Sequence, residues 1–185
     1  MPYIILDRDG VINHDSVDYI KSPEEWVAIP GSLEAIAHLN RAGFHVLIAT
    51  NQSGVGRGYY DLATLDEIHE KLTHELATVG GCIDGIFFCP HQPDEGCDCR
   101  KPKPGMLFQM QAKFGLDLRQ TYFIGDSHVD MQAALTAGCK PLLVMTGNGE
   151  RTLTRHPEFS SIPRFDTLMQ AAEYVIHEGN NHEKN

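Results

Sequence analysis

Side chains that can transfer a phosphoryl group follow the apolar runs of this sequence in a fixed order. Asp7 and Asp9, Thr50 and Asp126 come at or just after the ends of such runs, and Lys101 ends the cysteine-rich loop that follows a further run. One carboxylate can attack phosphorus, and a second, two residues away, can exchange a proton with the leaving oxygen. A hydroxyl and an ammonium can hold the oxygens of a transferring phosphoryl group. Clustered carboxylates repel one another unless a cation lies between them, and Mg²⁺ prefers oxygen ligands. The set therefore predicts phosphoryl transfer at a magnesium site.

Each of these residues has a predicted task. Asp7 is the nucleophile that would form an aspartyl-phosphate, and Asp9 is the general acid and base. Thr50 and Lys101 stabilise the transferring group, while Asp7, Asp126 and the main-chain carbonyl of Asp9 bind Mg²⁺. An Asp-x-Asp pair alone is usually a solvated turn, so the prediction depends on the ordered set and not on that pair.

The elements that must position these residues alternate between apolar runs and helical patterns. The predicted strands are 3–6, 44–49, 83–89, 121–124 and 141–145, and the predicted helices are 32–42, 64–79, 104–114, 128–137 and 167–178. This alternation predicts an α/β fold whose parallel sheet has helices on both faces. Ligands of such sheets bind beyond the carboxyl ends of the strands, where the chemical residues stand. We expect one domain over residues 1–178 and a flexible polar tail over 179–185.

Composition limits the partners and the location. The chain of 185 residues has 25 acidic and 15 basic side chains, a formal net charge of −10 that disfavours a nucleic-acid partner. No run approaches the roughly 20 apolar residues of a membrane span, and the first residues do not have the order of a secretory signal. We therefore expect a cytoplasmic monomer that acts on a small molecule, without nucleic-acid or membrane partners.

The motifs resemble those of the haloacid dehalogenase (HAD) superfamily of phosphatases. The matching segments are 7–13, 50–54, 100–106 and 125–126, and the similarity extends over about residues 3–145. Within the superfamily, the chain most resembles the family that removes the C7 phosphate from D-glycero-D-manno-heptose 1,7-bisphosphate during lipopolysaccharide precursor synthesis. The resemblance implies a Rossmann-like fold, Mg²⁺ dependence and the residue roles given above. The segments between the motifs are too short for a separate lid domain, so we expect a capless enzyme.

The resemblance also implies a set of substrate-contacting positions. Arg100 matches a substrate-recognition arginine of the family, and the other positions are Arg8, Asp15, Ser16, Val17, Asp18, Asn51, Gln52, Ser53 and Ser127. Many relatives have a substrate-contacting lysine at position 127, so the non-reacting phosphate should be held more weakly or by other groups here. Asp130, one helical turn after Asp126, either orients Lys101 or favours the first turn of its helix.

A second metal site is predicted in the loop 89–99. Cys89, His91, Cys97 and Cys99 supply three sulfurs and one imidazole, a complete tetrahedral set for a structural Zn²⁺. Three thiols cannot form two disulfides, which leaves free buried thiols as the alternative. The heptose phosphatase family has such a zinc loop, which supports zinc. Because Cys99 directly precedes Arg100 and Lys101, bound zinc would fix where both cations point.

Two alternative functions remain open. Histidinol-phosphate phosphatases have a similar zinc loop, and only a family analogy at residues 102–106 favours the heptose substrate. A receiver-type signalling domain also combines an acceptor Asp with Thr and Lys on a parallel sheet, but it needs no general acid such as Asp9. A zinc-bound nucleic-acid module is disfavoured by the negative charge.

Overall fold

A single parallel sheet organises the computed structural model, which describes residues 2–182. Its six strands are β1 (Tyr3–Leu6), β2 (His45–Asn51), β3 (Gly85–Cys89), β4 (Tyr122–Gly125), β5 (Lys140–Val144) and β6 (Arg164–Phe165). The spatial order is β3-β2-β1-β4-β5-β6, and every neighbouring pair is parallel. β1 therefore lies between β2 and β4, so that the ends of these three strands meet at one edge.

Helices cover both faces of the sheet. They are α1 (Ser32–Arg41), α2 (Ser53–Gly56), α3 (Leu62–Thr78), α4 (Gly105–Phe114), α5 (His128–Ala137), α6 (Gly149–Arg155) and α7 (Leu168–His182). Successive side chains of a strand point to opposite faces. Accordingly, Ile4 and Leu6 of β1 pack with α1, α3 and α7, whereas Ile5 packs with α4 and α5. The predicted α/β architecture with helices on both faces is confirmed.

The structure departs from the sequence prediction mainly after β5. The seven-residue helix α6 and the two-residue strand β6 were not predicted, because neither is long enough to show a hydrophobic period. The last helix was predicted to end at Glu178, but α7 continues to His182. A Cβ added at Gly179 would lie 3.4 Å from Phe44 Cζ, so this turn of α7 runs close to the Phe44 ring. Residues 179–182, which the prediction assigns to the tail, are thus part of α7, and residues 183–185 of that tail lie outside the described chain.

The segment between β1 and α1 is a loop with one 3₁₀ turn, Pro23–Glu25. Trp26, which is fully buried, anchors this loop in the core. Over residues 2–182 the segment forms no separate lid domain. Within the same range, no helix has both the length and the apolar character that a bilayer span requires.

Candidate active site

Side chains from four strand ends line one cleft of about 200 Å³ at the carboxyl edge of the sheet. Asp7 follows β1 and Asp126 follows β4, while Thr50 lies near the end of β2 and Lys101 comes from the loop after β3. The backbone N–H of Asp7 donates to the carbonyl of Ile124 at 3.0 Å, which joins the first two strand ends. The four segments that were predicted to converge therefore do so.

A buried ammonium group lies behind the carboxylate of Asp7. Lys101 Nζ is 2.8 Å from Asp7 Oδ1, 2.7 Å from Asp130 Oδ1 and 2.7 Å from the carbonyl oxygen of Ala49. Burial alone would lower the pKa of Lys101, but the charges of Asp130 and Asp7 outweigh it and hold that pKa above its ordinary value. The lysine is therefore a cation that fixes the orientation of both carboxylates.

Asp130 serves both of the roles predicted for it. Its Oδ1 pairs with Lys101, and its Oδ2 accepts hydrogen bonds from the backbone N–H of Ser127 at 3.0 Å and the Ser127 hydroxyl at 2.6 Å. The second set of contacts caps the start of α5. Asp130 thus connects the first turn of this helix to the cation behind Asp7.

Asn51 fixes the backbone of the lysine. Its Oδ1 accepts from the N–H of Lys101, and its Nδ2 donates to the carbonyl of Lys101, both at 3.0 Å. A side-chain amide that satisfies both backbone groups of one residue holds a loop as a β-strand neighbour would. Asn51 lines the cleft, but these bonds commit its amide to positioning Lys101.

The cleft contains a cluster of carboxylates that suits a divalent cation. Oxygen atoms of Asp7, Asp126 and Asp130 lie within 4.8 Å of one another. Burial, followed by the charge of Asp130, raises the pKa of Asp7 well above its ordinary value and that of Asp126 to about 7. A bound Mg²⁺ would relieve this repulsion. Because both oxygens of Asp130 already have partners, Asp7 and Asp126 are the better ligand candidates.

Two glycines allow the carboxylate of Asp126 to reach the cleft. Gly10 and Gly147 have φ angles of +81° and +61°, and a Cβ at either position would collide with Asp126 Oδ2. That same oxygen accepts from the backbone N–H of Asn148 at 2.7 Å. The positive φ angles and the close approach both require glycine at these two positions.

Asp9 is held by several hydrogen-bond donors. Its carboxylate accepts from Arg8 Nη2 at 2.9 Å, Asn13 Nδ2 at 2.8 Å and Gln52 Nε2 at 2.9 Å. Burial would raise the pKa of Asp9, but the Arg8 charge and these hydrogen bonds outweigh it, so the pKa lies below its ordinary value. In the resting site, Asp9 is therefore an ionised carboxylate with a fixed orientation.

Arg8 is a buried neighbour of Asp9 and does not face the cleft. Its side chain is 0% exposed, and its Nη1 lies 3.2 Å from His69 Nε2. Burial and the Arg8 charge lower the pKa of His69 to about 3, so this imidazole is neutral and can accept the hydrogen bond. The guanidinium of Arg8, a predicted substrate position, therefore contacts Asp9 and lies outside the lining of the cleft.

The structure brings most of the other predicted substrate positions to the cleft. Those that line it are Asp15, Ser16, Asn51, Gln52 and Ser127. Val17 is 96% exposed, and Asp18 is also exposed. Ser53 is buried in α2. The Arg100 guanidinium donates a hydrogen bond to the carbonyl of His91 at 3.3 Å. The side chains of Val17, Asp18, Ser53 and Arg100 lie outside the lining of this cleft.

Four lining residues are not among the predicted site residues, namely Tyr19, Ile20, Val129 and Asn148. Asn148 has the closest contacts with the predicted set, because its Nδ2 is 3.2 Å from both Asp126 Oδ2 and Asp15 Oδ2. It follows β5, so applying the strand-end rule to that strand would have identified it. The sequence left open whether Tyr19 lines the entrance of the pocket or anchors its loop, and the two aliphatic residues carried no comparable signal.

The four predicted zinc ligands converge in the loop that follows β3. Cys89 Sγ lies 3.5 Å from His91 Nδ1 and 3.6 Å from Cys97 Sγ, and His91 Nδ1 lies 3.3 Å from Cys99 Sγ. Zinc–sulfur and zinc–nitrogen bonds of about 2.3 and 2.0–2.1 Å place tetrahedral ligands roughly 3.5–3.8 Å apart. The donor set and its spacing therefore fit Zn²⁺.

Comparisons with known proteins agree with this site. The HAD-hydrolase-like family model matches residues 98–171. A D-glycero-β-D-manno-heptose-1,7-bisphosphate 7-phosphatase of Pseudomonas putida is 54% identical over 177 residues, which cover 95% of this chain and 100% of that protein. The chain belongs to this family of phosphatases. It is accordingly a phosphoric monoester hydrolase, and the receiver-domain alternative is wrong.

Other members of the heptose bisphosphate phosphatase family extend the similarity over nearly the whole chain. The Bordetella bronchiseptica enzyme is 51% identical over 180 residues, covering 96% of this chain and 99% of its own. A crystal structure from that species, described as a complex with magnesium and phosphate, superposes with a TM-score of 0.93, 50% identity and coverage of 96% and 99% of the two chains. The HAD fold is thus shared with a magnesium-binding phosphatase.

Proposed function

We propose that this chain hydrolyses the C7 phosphate of D-glycero-β-D-manno-heptose 1,7-bisphosphate, yielding heptose 1-phosphate and inorganic phosphate. The observation that carries the proposal is the position of Asp7 in the cleft. Its Oδ1 is engaged by Lys101 and by its neighbour's backbone N–H at 2.7 Å, whereas its Oδ2 has no hydrogen-bond donor among residues 2–182. An oriented carboxylate with one free oxygen is suited to nucleophilic attack.

In the first step, Asp7 Oδ2 attacks the phosphorus at C7. A bond from Asp7 to phosphorus forms, the bond to the sugar oxygen breaks, and that oxygen takes a proton from Asp9. Asp9 is ionised at rest, but the approach of a phosphate dianion raises the pKa of a nearby carboxyl. Binding of the substrate thus favours the protonated form of Asp9 that this step requires.

In the second step, a water molecule attacks the phosphorus of the aspartyl-phosphate. Asp9, which gave up its proton to the sugar, accepts one from that water. The bond between Asp7 and phosphorus breaks, and phosphate leaves. Arg8 and Asn13 hold Asp9 by hydrogen bonds, so one carboxylate can act first as acid and then as base from one position.

Thr50 and Lys101 stabilise the phosphoryl group in this proposal. The Thr50 hydroxyl oxygen accepts a hydrogen bond from Gln52 Nε2 at 2.9 Å, which leaves its hydrogen for a phosphoryl oxygen. Tyr60 fixes the orientation of Gln52, because its hydroxyl donates to Gln52 Oε1 at 2.7 Å. The charge of Lys101, next to Asp7, acts on the same group.

Mg²⁺ and Zn²⁺ complete the proposed enzyme. Asp7, Asp126 and the Asp9 carbonyl would hold Mg²⁺, which supplies positive charge to the transferring phosphoryl oxygens. The Cys89, His91, Cys97 and Cys99 set would hold Zn²⁺ in a structural role. A cytoplasmic location and a monomeric state are also part of the proposal, and the presence of five free cysteines suits a reducing compartment.

A substrate comparison tests the proposal. With Mg²⁺ present, the purified protein should hydrolyse the β anomer of heptose 1,7-bisphosphate with a kcat/KM at least about tenfold above those for the α anomer, fructose 1,6-bisphosphate and histidinol phosphate. Phosphate release and the identity of the sugar product are measured. A preference for histidinol phosphate would overturn the proposed substrate and leave the two-step mechanism standing.

Loss of zinc should reduce turnover through the position of the neighbouring loop. Cys99→Ser removes one ligand, and the loop that contains Arg100 and Lys101 then loses its anchor. We expect a lower zinc content, and a kcat reduced about tenfold or more by misplacement of the lysine. Metal analysis together with kinetics measures both effects. Cys82→Ser, at an exposed cysteine outside the loop, is the matched control, and full activity in zinc-free protein would contradict the structural role.

A further inference from the structure

A histidine of α3 contacts the arginine that holds Asp9. His69 lies on the apolar face of this helix and is only 8% exposed. Its ring lies near that of Phe88, with centroids 6.1 Å apart. His69 lines a groove of about 960 Å³ between α3 and β3, and it is not part of the lining of the catalytic cleft. Its contact with the reacting groups is therefore indirect, through Arg8.

The direction of the contact between His69 and Arg8 follows from the chemistry of the two groups. A guanidinium has only N–H donors, so His69 Nε2 accepts the hydrogen bond from Arg8 Nη1 at 3.2 Å. The imidazole is then the neutral tautomer with its proton on Nδ1. Burial and the charge of Arg8, which lower the pKa of His69 to about 3, favour the same neutral form. His69 is thus a fixed acceptor at neutral pH.

Arg8 divides its donors between His69 and Asp9. While Nη1 bonds to the histidine, Nε donates to Asp9 Oδ1 at 3.2 Å, and Nη2 donates to Asp9 Oδ1 and Oδ2 at 2.9 and 3.1 Å. The guanidinium is planar and rigid, so an acceptor that fixes one nitrogen also fixes the direction of the other two. A neutral acceptor does this without drawing the charge of Arg8 away from Asp9, as a carboxylate at position 69 would.

The backbone that carries His69 is anchored next to the site. Lys71, two residues further along α3, donates from Nζ to the carbonyls of Pro23 and Trp26, both at 2.8 Å. These bonds join α3 to the loop that follows β1, the strand that ends at the catalytic aspartates. A side chain on such a fixed element can hold a neighbour in one orientation.

We propose that His69 is a positioning residue for proton transfer, which acts through Arg8 to hold the Asp9 carboxylate in its working orientation. The inference rests on the proposed function for the role of Asp9 as general acid and base, but it does not depend on the identity of the sugar. A general acid or base must lie within hydrogen-bond reach of the oxygen that it serves. Loss of the acceptor at position 69 should therefore lower kcat more than it raises KM.

Two variants of similar length test the acceptor. His69→Gln can place its amide oxygen as many bonds from Cα as the histidine Nε2, whereas His69→Met places a methyl group there. With heptose 1,7-bisphosphate, His69→Met should lower kcat about 10- to 100-fold and leave KM within about twofold, as expected for a misplaced catalytic group. His69→Gln should restore kcat to within about threefold of wild type. His74→Met, at an exposed histidine of α3 that lines the same groove, is the matched control and should change neither constant.

A good leaving group separates proton transfer from general damage to the site. Because 4-nitrophenolate leaves without a proton, its release from 4-nitrophenyl phosphate in a single turnover should be unchanged in His69→Met. Steady-state hydrolysis of the same ester should fall, since the second step still needs Asp9 as a base, and phosphorylated protein should accumulate. Asp9→Asn should show the same separation more strongly. A purely structural defect would slow both phases.

A double-mutant cycle tests the path through Arg8. Arg8→Lys keeps a positive charge beside Asp9 but has no planar fork to connect it with His69. In that background, His69→Met should change kcat by less than about threefold, so the two substitutions are not additive. Additive effects, an equal loss in His69→Gln and His69→Met, or slower single-turnover release of 4-nitrophenolate would each overturn the proposal.

Failure of the proposed function gives a different result. A wild type that hydrolyses 4-nitrophenyl phosphate but not the heptose bisphosphate would refute the proposed substrate, and the two phases with the aryl ester would still decide the role of His69. If Asp9→Asn does not separate the two phases, the proposed role of Asp9 is wrong, and this inference is wrong with it. If Asp9→Asn separates them and His69→Met does not, only the role of His69 is wrong.

Discussion

Asp7→Asn should lower kcat by about four to six orders of magnitude, as expected when a nucleophile is removed from a catalytic set. The asparagine amide has nearly the same shape as the carboxylate, but its oxygen is a far weaker nucleophile and no aspartyl-phosphate can form. Lys101, Asp9 and Thr50 remain in the cleft, so binding of substrate should persist. Single-turnover kinetics and a search for the phosphorylated protein in acid-quenched samples measure the loss.

The same variant should not be less stable than the wild type in magnesium-free buffer. Burial and the charge of Asp130 raise the pKa of Asp7 in the folded state, so ionisation of Asp7 opposes folding above the ordinary pKa of the group. The neutral amide removes that cost. Added Mg²⁺ should raise the melting temperature of the wild type by mass action and raise that of the variant less.

The surface change Asp66→Asn is the matched control, because this exposed carboxylate lies on α3 away from the cleft. It should leave turnover and the magnesium-dependent stabilisation unchanged. Turnover above about one per cent of wild type in Asp7→Asn, with the protein shown to be free of wild-type contamination, would contradict the nucleophilic role.

The sequence was sufficient to predict which residues meet, because the rule for parallel sheets places all strand ends at one edge. Asp7, Thr50 and Asp126 follow this rule directly. Lys101 lies twelve residues beyond the last residue of β3. Its place in the sequence order of the motifs was the only indication that it belongs to the site. Periodicity likewise predicted the long helices, whereas α6 and β6 were too short to show any.

The connections among these residues could not be predicted from sequence. Whether Asp130 faces Lys101 depends on the orientation of α5, and the structure shows a 2.7 Å ion pair in addition to the helix cap. The resemblance implies that Arg8 contacts substrate, and nothing in the sequence indicated that its guanidinium is buried against Asp9 and His69. Spacing along a chain places backbones near a site, but the rotamer and the packing decide which side chains face the ligand.

Lys101→Met should destabilise the protein by about 3–5 kcal/mol, the cost of removing one partner from a buried ion pair. The methionine fills a similar volume, but Asp7 and Asp130 lose the cation that lies 2.8 and 2.7 Å from them. Turnover should also fall about 10²- to 10³-fold, since a charge that stabilises the transferring phosphoryl group is lost. Chemical unfolding in magnesium-free buffer and steady-state kinetics with Mg²⁺ measure the two effects separately.

Adding Asp130→Asn to Lys101→Met should recover part of the lost stability, because it replaces one of the two uncompensated buried carboxylates with a neutral amide. A double-mutant cycle then gives a coupling energy of about 0.5–3 kcal/mol between Lys101 and Asp130. The recovery in stability should not be matched by a recovery in turnover, since no cation returns to the phosphoryl site. Independent, additive effects of the two substitutions would contradict the pairing.

The dependence on pH separates loss of charge from loss of packing in Lys101→Met. Burial raises the folded-state pKa of Asp7, and removal of the lysine takes away an interaction that lowers it. Because the folded-state pKa of Asp7 is raised, ionisation of this group opposes folding at pH values above the ordinary pKa of a carboxyl group. The loss of folding free energy disappears as the pH falls and the carboxyl group of the folded protein becomes protonated. Lys101 stays charged in the wild type throughout this range, because its own pKa is raised. The stability difference between wild type and variant should therefore be largest near pH 8 and shrink towards pH 5, whereas a packing defect would give a constant difference.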